Sequence, residues 1–437
     1  MKAFHQYRVR TGHESVRCRR YSLGMGKKLA EDWANLLMNE KVKITLEGTR
    51  EQAFIDRIFT ANNFLVKANE MQEMKSALGT AAYVPRVVGQ AVNAEGEAVP
   101  GGASDIAIDY VTVEHIYPLA WQNGVVTECA FDSAVTADGA AYLYLQIHKK
   151  AENGLYDIEN RIFRVTNGNL SDAALADVPG FEHVPAVVHT GSARRQFVID
   201  RLNIANNFDY ALPLGIPVFA NAIDTLKGVD IAYDSYINEF VLGKKRIMVK
   251  PGAAQYLNGE PVFDTSDTVY YVLPEDTKEN DIIVPIDMSL RTAEHNTGIQ
   301  DQLNLLSSKC GFGEAHYRFD GGNLTTATQV ISENSTMFRT IKKHEIILED
   351  ALKELCRVLL RLGNTAMAAG LDENVEISID FDDSIIEDKE TDFNRDARMV
   401  QMGVMNAWEF RAKWLNEDEA TAKAALPRME SLVADGV

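Results

Sequence analysis

The chain has 437 residues, 63 acidic and 44 basic, giving a formal net charge of −19 at pH 7, and 46% of it is hydrophobic. That length accommodates two or three ordinary domains with a sizeable core. The acidic balance excludes a conventional DNA-binding domain as the main activity, because tight phosphate contact needs clustered Lys and Arg, but it leaves room for a surface past which DNA slides without sticking.

The N-terminal stretch MKAFHQYRVRTGHESVRCRR is basic and has no apolar core behind it, so no secretion signal is expected. Its run Arg17, Arg19, Arg20 with Lys27 and Lys28 reads as a solvated surface, or else as a contact for an acidic neighbouring subunit. From Lys27 to Glu40, the residues Leu29, Trp33, Leu36 and Leu37 fall on one helical face. A short strand, Val42 to Leu46, follows. A second helical region is expected from Arg50 to Leu78, interrupted at Asn62 to Phe64 and stopped by Gly79.

Beyond it, TAAYVPRVVGQAV, DIAIDYVTVEHIYPLAW, GVVTECAFDSAV, AAYLYLQIHK and IENRIFRVT read as strands separated by Gly, Asn and Asp turns. The order is α+β rather than alternating βαβ. The stretches DRIFTANNF and DRLNIANNF, starting at Asp56 and Asp200, look alike, but nothing around them matches, so no repeat is expected.

The longest uncharged apolar stretch, Tyr210 to Ile223, contains Pro213 and Pro217 and falls short of the roughly 20 residues of a spanning helix, so no membrane segment is expected. From Ile223 to Gly243 one helix is predicted. KKRIMVKPG, DTVYYVLPE and DIIVPIDMS then form a small β unit, and another helix runs from Leu290 to Lys309.

The segment DGGNLTTATQVISENS, Asp320 to Ser335, places two glycines and a run of threonines before a long helical stripe from Val330 to Leu359 that ends at Gly363. It lacks the Lys-Ser/Thr pair of a phosphate-binding P-loop. It reads as a turn with Asn323, Thr325 or Thr326 capping the helix. The strand VEISIDFDD follows, and two short helices close the chain, with capping-box spacing at Asn406/Glu409 and Asn416/Glu419.

No metalloprotease HExxH, no GxSxG, no dinucleotide GxGxxG and no Walker A sequence is present. No catalytic residue, cofactor or metal ligand set is therefore assigned. His344-Glu345 is expected to be an exposed pair on the polar side of the long helix. The carboxylates Asp380, Asp382, Asp383, Glu387 and Asp388 lack EF-hand spacing and read as a solvated strand end. Cys18, Cys129, Cys310 and Cys356 are far apart with no CxxC, which argues against disulfides and zinc and fits a reducing cytoplasm.

Four stretches together carry a resemblance: LGMGKKLAEDWANLLMNEKVKITL, AYDSYINEF (Ala232 to Phe240), GFGEAHYRFDGGNLTTATQVISENSTMFRTIKKHE (Gly311 to Glu345) and IDFDDSIIEDKETDFNRDARMVQMGVMNAWEFRAKW (Ile379 to Trp414). In that order the chain resembles the portal proteins of tailed bacteriophages, in the SPP1-type portal family. The resemblance implies a non-enzymatic structural protein with an α+β portal fold, forming a dodecameric ring around a DNA channel at one capsid vertex. It implies wing at 1–217, a stem helix at 218–243, a β-rich clip at 244–289, a second stem helix at 290–310, wing again at 311–383 and a short helical crown at 384–437. It also implies a tunnel loop at about 318–326, with Gly321, Gly322, Asn323, Thr325 and Thr326 facing the channel.

The implied partners are further copies of the chain, double-stranded DNA, the terminase large subunit, major capsid or scaffolding protein and a head-completion or adaptor protein. The implied place is the virion, after assembly in the host bacterial cytoplasm. Other readings are a different phage head component, such as a minor capsid or adaptor protein, and a metal-dependent hydrolase built on the 380–388 carboxylates.

Overall fold

A computed structural model describes residues 2–11, 14–89, 91–101, 105–243, 246–249, 256–257, 260–261, 269–272, 283–286, 289–314, 316–319, 327–381, 389–415 and 417–426. The chain is mixed helix and sheet and divides into two units, Met1–Asp380 and Phe381–Val437.

The first unit begins with α1 (Lys2–His5) and a hairpin of β1 (Gln6–Thr11) and β2 (Glu14–Arg19), followed by α2 (Met25–Leu37), β3 (Lys43–Leu46), α3 (Thr49–Ala61) and α4 (Phe64–Leu78). Of the expected stripe, Leu29, Trp33 and Leu37 of α2 are fully buried and Leu36 is half-buried. The expected break between α3 and α4 has a mechanism in two asparagines. Asn63 takes the left-handed conformation at φ 48°, which Asn tolerates better than most residues. Asn62 donates from Nδ2 to the carbonyls of Ile58 (2.8 Å) and Ile106 (2.9 Å) and accepts from the Ile108 N–H at 2.8 Å, so the helix end docks on a neighbouring strand. Gly79 stops α4 at φ 95°, where a Cβ would lie 2.5 Å from the Gly215 carbonyl oxygen, so only glycine permits this close backbone approach.

The β-rich part comprises β4 (Thr80–Val88), β5 (Asp105–Thr112), β6 (Ile116–Gln122), β7 (Val125–Ala137), β8 (Ala140–Lys150), β9 (Tyr156–Thr166), β10 (Asn169–Ala173), β11 (Val187–His189) and β12 (Val198–Arg201). One antiparallel sheet runs β10-β9-β8-β7-β6 with β11 on β9, and a second runs β12-β4-β5. The two-residue connections Asn123-Gly124, Asp138-Gly139 and Asn167-Gly168 all have positive φ, the backbone of hairpin turns that match strand twist. The single strand expected over DIAIDYVTVEHIYPLAW is instead two, because a 3-10 turn at Val113–His115 carries the chain from one sheet to the other. Ala82, Val84, Ile116, Val126, Cys129, Phe131, Phe197 and Leu214 form a core shared by the sheets.

Then come α5 (Ile223–Leu242), β13 (Arg246–Val249), β14 (Tyr256–Leu257), β15 (Glu260–Pro261), β16 (Val269–Val272), β17 (Ile283–Ile286), α6 (Thr292–Lys309), α7 (Ala327–Met367) and β18 (Ile377–Asp380). β13 is central in a small sheet, parallel to β16 and antiparallel to β17. β18 pairs with β3, tying the end of this unit to its beginning. The 41 residues of α7 span about 60 Å.

His344-Glu345 is not the exposed pair the sequence suggests: both side chains are buried. Their side of α7 is covered by Trp33, whose ring meets His344 edge-on at 5.1 Å, and by the loop at Asn203, whose N–H donates to His344 Nδ1 at 3.2 Å. The look-alike stretches at Asp56 and Asp200 begin on helix α3 and strand β12 respectively, so their likeness ends at the letters.

The second unit holds α8 (Lys389–Gln401), α9 (Ala407–Leu415) and α10 (Glu419–Ala424). Buried Asp396 organises it, accepting from Lys413 Nζ at 2.7 Å and Trp414 Nε1 at 3.2 Å, while Phe393, Phe410 and Trp414 pack their rings together. At α9 the expected cap is present in part, with Glu409 accepting from the Asn406 N–H at 2.8 Å. At α10 the cap is Asp418, which accepts from the Thr421 N–H at 2.9 Å, and Asn416 of the expected Asn416/Glu419 box lies outside the described residues.

Candidate functional site: the helix pair and the approach to residues 320–326

α5 and α6 lie against each other along a seam of Leu226, Val229, Ile299, Leu303 and Leu306, all buried. Gly228 lets the helices close up: a Cβ there would stand 2.6 Å from Gln302 Oε1. Lys309 Nζ donates to Thr225 Oγ1 at 3.0 Å at one end of the pair. At the other end, Glu239 accepts from Arg291 Nε (3.1 Å), Arg291 Nη2 (2.9 Å) and the Arg291 N–H (3.2 Å), with His295 Nε2 3.4 Å away. The Arg291 guanidinium hydrogen bonds hold the Glu239 carboxyl down at about 2. Ile231, Phe240, Val241, Leu290 and Leu305, on or beside the pair, are each 41–48% exposed.

Buried Asp230 and Asp234 of α5 clamp the segment after the N-terminal hairpin. Asp230 accepts from Ser22 Oγ (3.0 Å) and the Leu23 N–H (2.9 Å), and Asp234 from the Tyr21 N–H (2.9 Å). Two carboxylates one turn apart repel unless donors reach them, so their spacing was a readable sign of a docking partner that the sequence reading passed over.

The chain leaving α6 is held residue by residue. Gly311 has φ 88°, and a Cβ there would meet Thr340 Cγ2 at 2.7 Å. Trp33 Nε1 donates to the Cys310 carbonyl at 3.2 Å, and Phe312 packs against Trp33 and stacks on His316. The Tyr317 hydroxyl donates to Asp32 Oδ2 at 2.8 Å. Gln300 of α6 then brackets the next stretch: its Nε2 donates to the Tyr317 carbonyl at 2.8 Å and its Oε1 accepts from the Phe319 N–H at 2.8 Å. The Phe319 ring meets Tyr236 of α5 at 5.6 Å, with planes perpendicular. Nothing in the sequence marks Gln300 for this task. Gly321, Gly322, Asn323, Thr325 and Thr326 lie outside the described residues, flanked by the anchored Phe319 and by the start of α7 at Ala327.

Of the acidic set at 380–388, Asp380 ends β18 and the others lie outside the described residues. Among the described residues no group of three or more His, Cys, Asp or Glu is placed to hold a metal ion. All four cysteines are free, and burial pushes the thiols of Cys129, Cys310 and Cys356 up to about 12. A cleft of about 1200 Å³ lies between the two sheets and α4, lined by Met71, Tyr110, Phe131, Tyr144 and Asn160 among others. At its edge the exposed His115 pairs with Asp132 at 2.8 Å, and no hydroxyl or thiol is hydrogen-bonded to that histidine among the described residues. No described helix is long and apolar enough to cross a membrane.

A family model described as phage portal protein, SPP1 Gp6-like, matches residues 139–426. The chain belongs to that portal family. No curated protein sequence matches it. The match runs from the turn before β8 to the end of α10, and so contains the helix pair, the small sheet between its helices, residues 320–326 and α7. A phage portal protein is a structural component of the capsid vertex in the virion and works within a capsid-associated oligomeric assembly.

Proposed function

We propose that the portal chain assembles into a ring, most simply a dodecamer, whose central channel passes double-stranded DNA during packaging and ejection. In that ring 1–217 and 311–383 are wing, 218–243 and 290–310 are the stem helices, 244–289 is the clip and 384–437 is a short crown. The clip docks the terminase large subunit, the outer parts meet major capsid or scaffolding protein, and a head-completion or adaptor protein seals the vertex. Assembly takes place in the host bacterial cytoplasm and the ring itself performs no catalysis.

The observation that carries this reading is the α5/α6 pair. It is joined along one buried seam yet leaves Ile231, Phe240, Val241, Leu290 and Leu305 substantially exposed in a single chain. Exposed apolar side chains along a helix pair are the kind of surface that neighbouring copies cover, and head-to-tail repetition of one contact closes into a ring.

The segment 318–326 is the tunnel loop in this reading. Anchoring Tyr317 and Phe319 on Gln300 supports it, because a loop that yields to a moving duplex needs a fixed base. Gly321 and Gly322 supply backbone freedom, and Asn323, Thr325 and Thr326 offer weak hydrogen bonds without a grip on phosphate. The net charge of −19 works the same way, disfavouring adhesion of the polyanion.

The test is genetic. A phage carrying a stop codon in this reading frame should yield heads without DNA, with packaging restored by the chain supplied in trans. DNA-filled heads made without the chain would overturn the proposal.

A further inference from the structure

The first 28 residues carry eight Lys and Arg against one acidic residue, in a chain whose total is −19. Much of that excess sits on the β1–β2 hairpin. The register pairs Arg8 with Arg17 and Gln6 with Arg19, and strand alternation puts Arg8, Arg17 and Arg19 on one face. All three are exposed, and among the described residues no hydrogen bond or ion pair holds their guanidinium groups.

Two features make this hairpin costly on its own. Like charges directly opposite across strands repel, and a two-stranded hairpin that, among the described residues, pairs with no other strand is marginal in water. Its base, by contrast, is fixed. The Arg20 N–H donates to the His5 carbonyl at 2.8 Å, its Nη1 to the Phe4 carbonyl at 2.7 Å, and its guanidinium lies over the Phe4 ring at 4.3 Å. Asp230 and Asp234 hold the next three residues on α5. The hairpin is thus an arm set in a defined direction, with an unneutralised arginine face.

We propose that this face seats on an acidic surface of a second copy of the chain. The inference rests on the ring reading. Charge complementarity carries it: outside residues 1–28 the chain holds an excess of 26 negative charges, and in an oligomer a neighbouring copy presents that surface at a fixed place. DNA is the less suitable partner, since an arginine row along its path would bind phosphates by counterion release and hold a duplex that has to move.

The experiment compares the full-length wild-type chain with Arg8→Ser/Arg17→Ser/Arg19→Ser. Sedimentation across protein and NaCl concentrations measures assembly, and gel retention of a short DNA duplex measures binding. The variant's rings should dissociate at protein concentrations at least about tenfold higher than wild type at low salt, with the difference shrinking as salt rises. Its melting temperature as dissociated chain and its duplex retention should stay unchanged. Unaltered assembly overturns the inference, and lost duplex retention with unaltered assembly assigns the face to DNA and overturns it too.

Should the triple variant not fold, Arg17→Lys in mixed isotope-labelled and unlabelled copies serves instead. Carbodiimide should join Lys at that position to a carboxylate of another copy, and links confined to one copy overturn the inference. A wild-type chain that forms no rings at any salt overturns the ring reading itself, a different failure.

Discussion

Glu239 and Arg291 close the far end of the α5/α6 pair, two residues 52 apart in sequence that meet through Arg291 Nε and Nη2 and the Arg291 backbone N–H. Their hydrogen bonds lower the Glu239 pKa to about 2, against about 4.3 for a free glutamate. A depressed carboxyl contributes stability that is complete above the unfolded pKa and is lost as pH falls through the folded one. Glu239→Gln should therefore melt below wild type at pH 7, and the gap should close between about pH 4.3 and about pH 2. Thermal melts across that range check it, and a gap that persists at pH 2 contradicts it.

Lys75 and Asp200 make a fully buried ion pair, with Lys75 Nζ 3.0 and 3.1 Å from the two carboxylate oxygens and Gln72 Nε2 donating to the same carboxylate at 2.7 Å. Burial pulls the Lys75 ammonium down and Asp200 opposes that pull. Removing one partner leaves the other charge stranded, so Lys75→Met should cost about 3–5 kcal/mol. Lys75→Met/Asp200→Asn should cost less than Lys75→Met alone. Chemical denaturation of wild type and the two variants is the measurement, and a double variant that costs as much as Lys75→Met or more would contradict it.

Two buried histidines predict an acid limb. His148 sits among Phe131 and Phe197, with neither ring nitrogen hydrogen-bonded among the described residues, and burial takes it down to about 3. His344 falls to about 3, through burial first and then the nearby Lys75 charge. A histidine kept neutral in the fold but free to protonate near 6.5 when unfolded gives stability that is complete above about pH 6.5 and drains away as pH falls toward 3. The slope is up to about 1.4 kcal/mol per pH unit for each. His148→Phe should flatten that limb without lowering stability at pH 8 by more than about 1.5 kcal/mol. A limb unchanged in the variant would contradict the assignment.

These sites differ in how visible they were in the sequence. The α3/α4 break, the Asn-Gly and Asp-Gly hairpins and the stripe of α7 were legible because each depends on local residue chemistry. α8 carries no apolar stripe, being KETDFNRDARMVQ, and its order comes from Asp396 meeting Lys413 and Trp414. His344 looked exposed because one helical wheel cannot know that Trp33, 311 positions earlier, covers its other side. The Lys75–Asp200 pair and the Gln300 bracket join residues whose meeting is a property of the fold alone. The anchoring of the approach to residues 320–326 was not legible either.

The paired glycines make a separable prediction. Replacing Gly321 and Gly322 with alanine should leave ring yield within about twofold of wild type, since any strain is local at roughly 1–2 kcal/mol per residue. DNA packaged per head should fall far more. Normal packaging would reduce the glycines to an ordinary turn, and lost rings would make them structural.

The most direct measurement is electron microscopy of the purified full-length chain in negative stain. Rings with a central channel wide enough for a duplex, in most particles and at more than one salt concentration, are the expected result. A monodisperse monomer at high protein concentration in every salt would contradict a portal ring built from this chain.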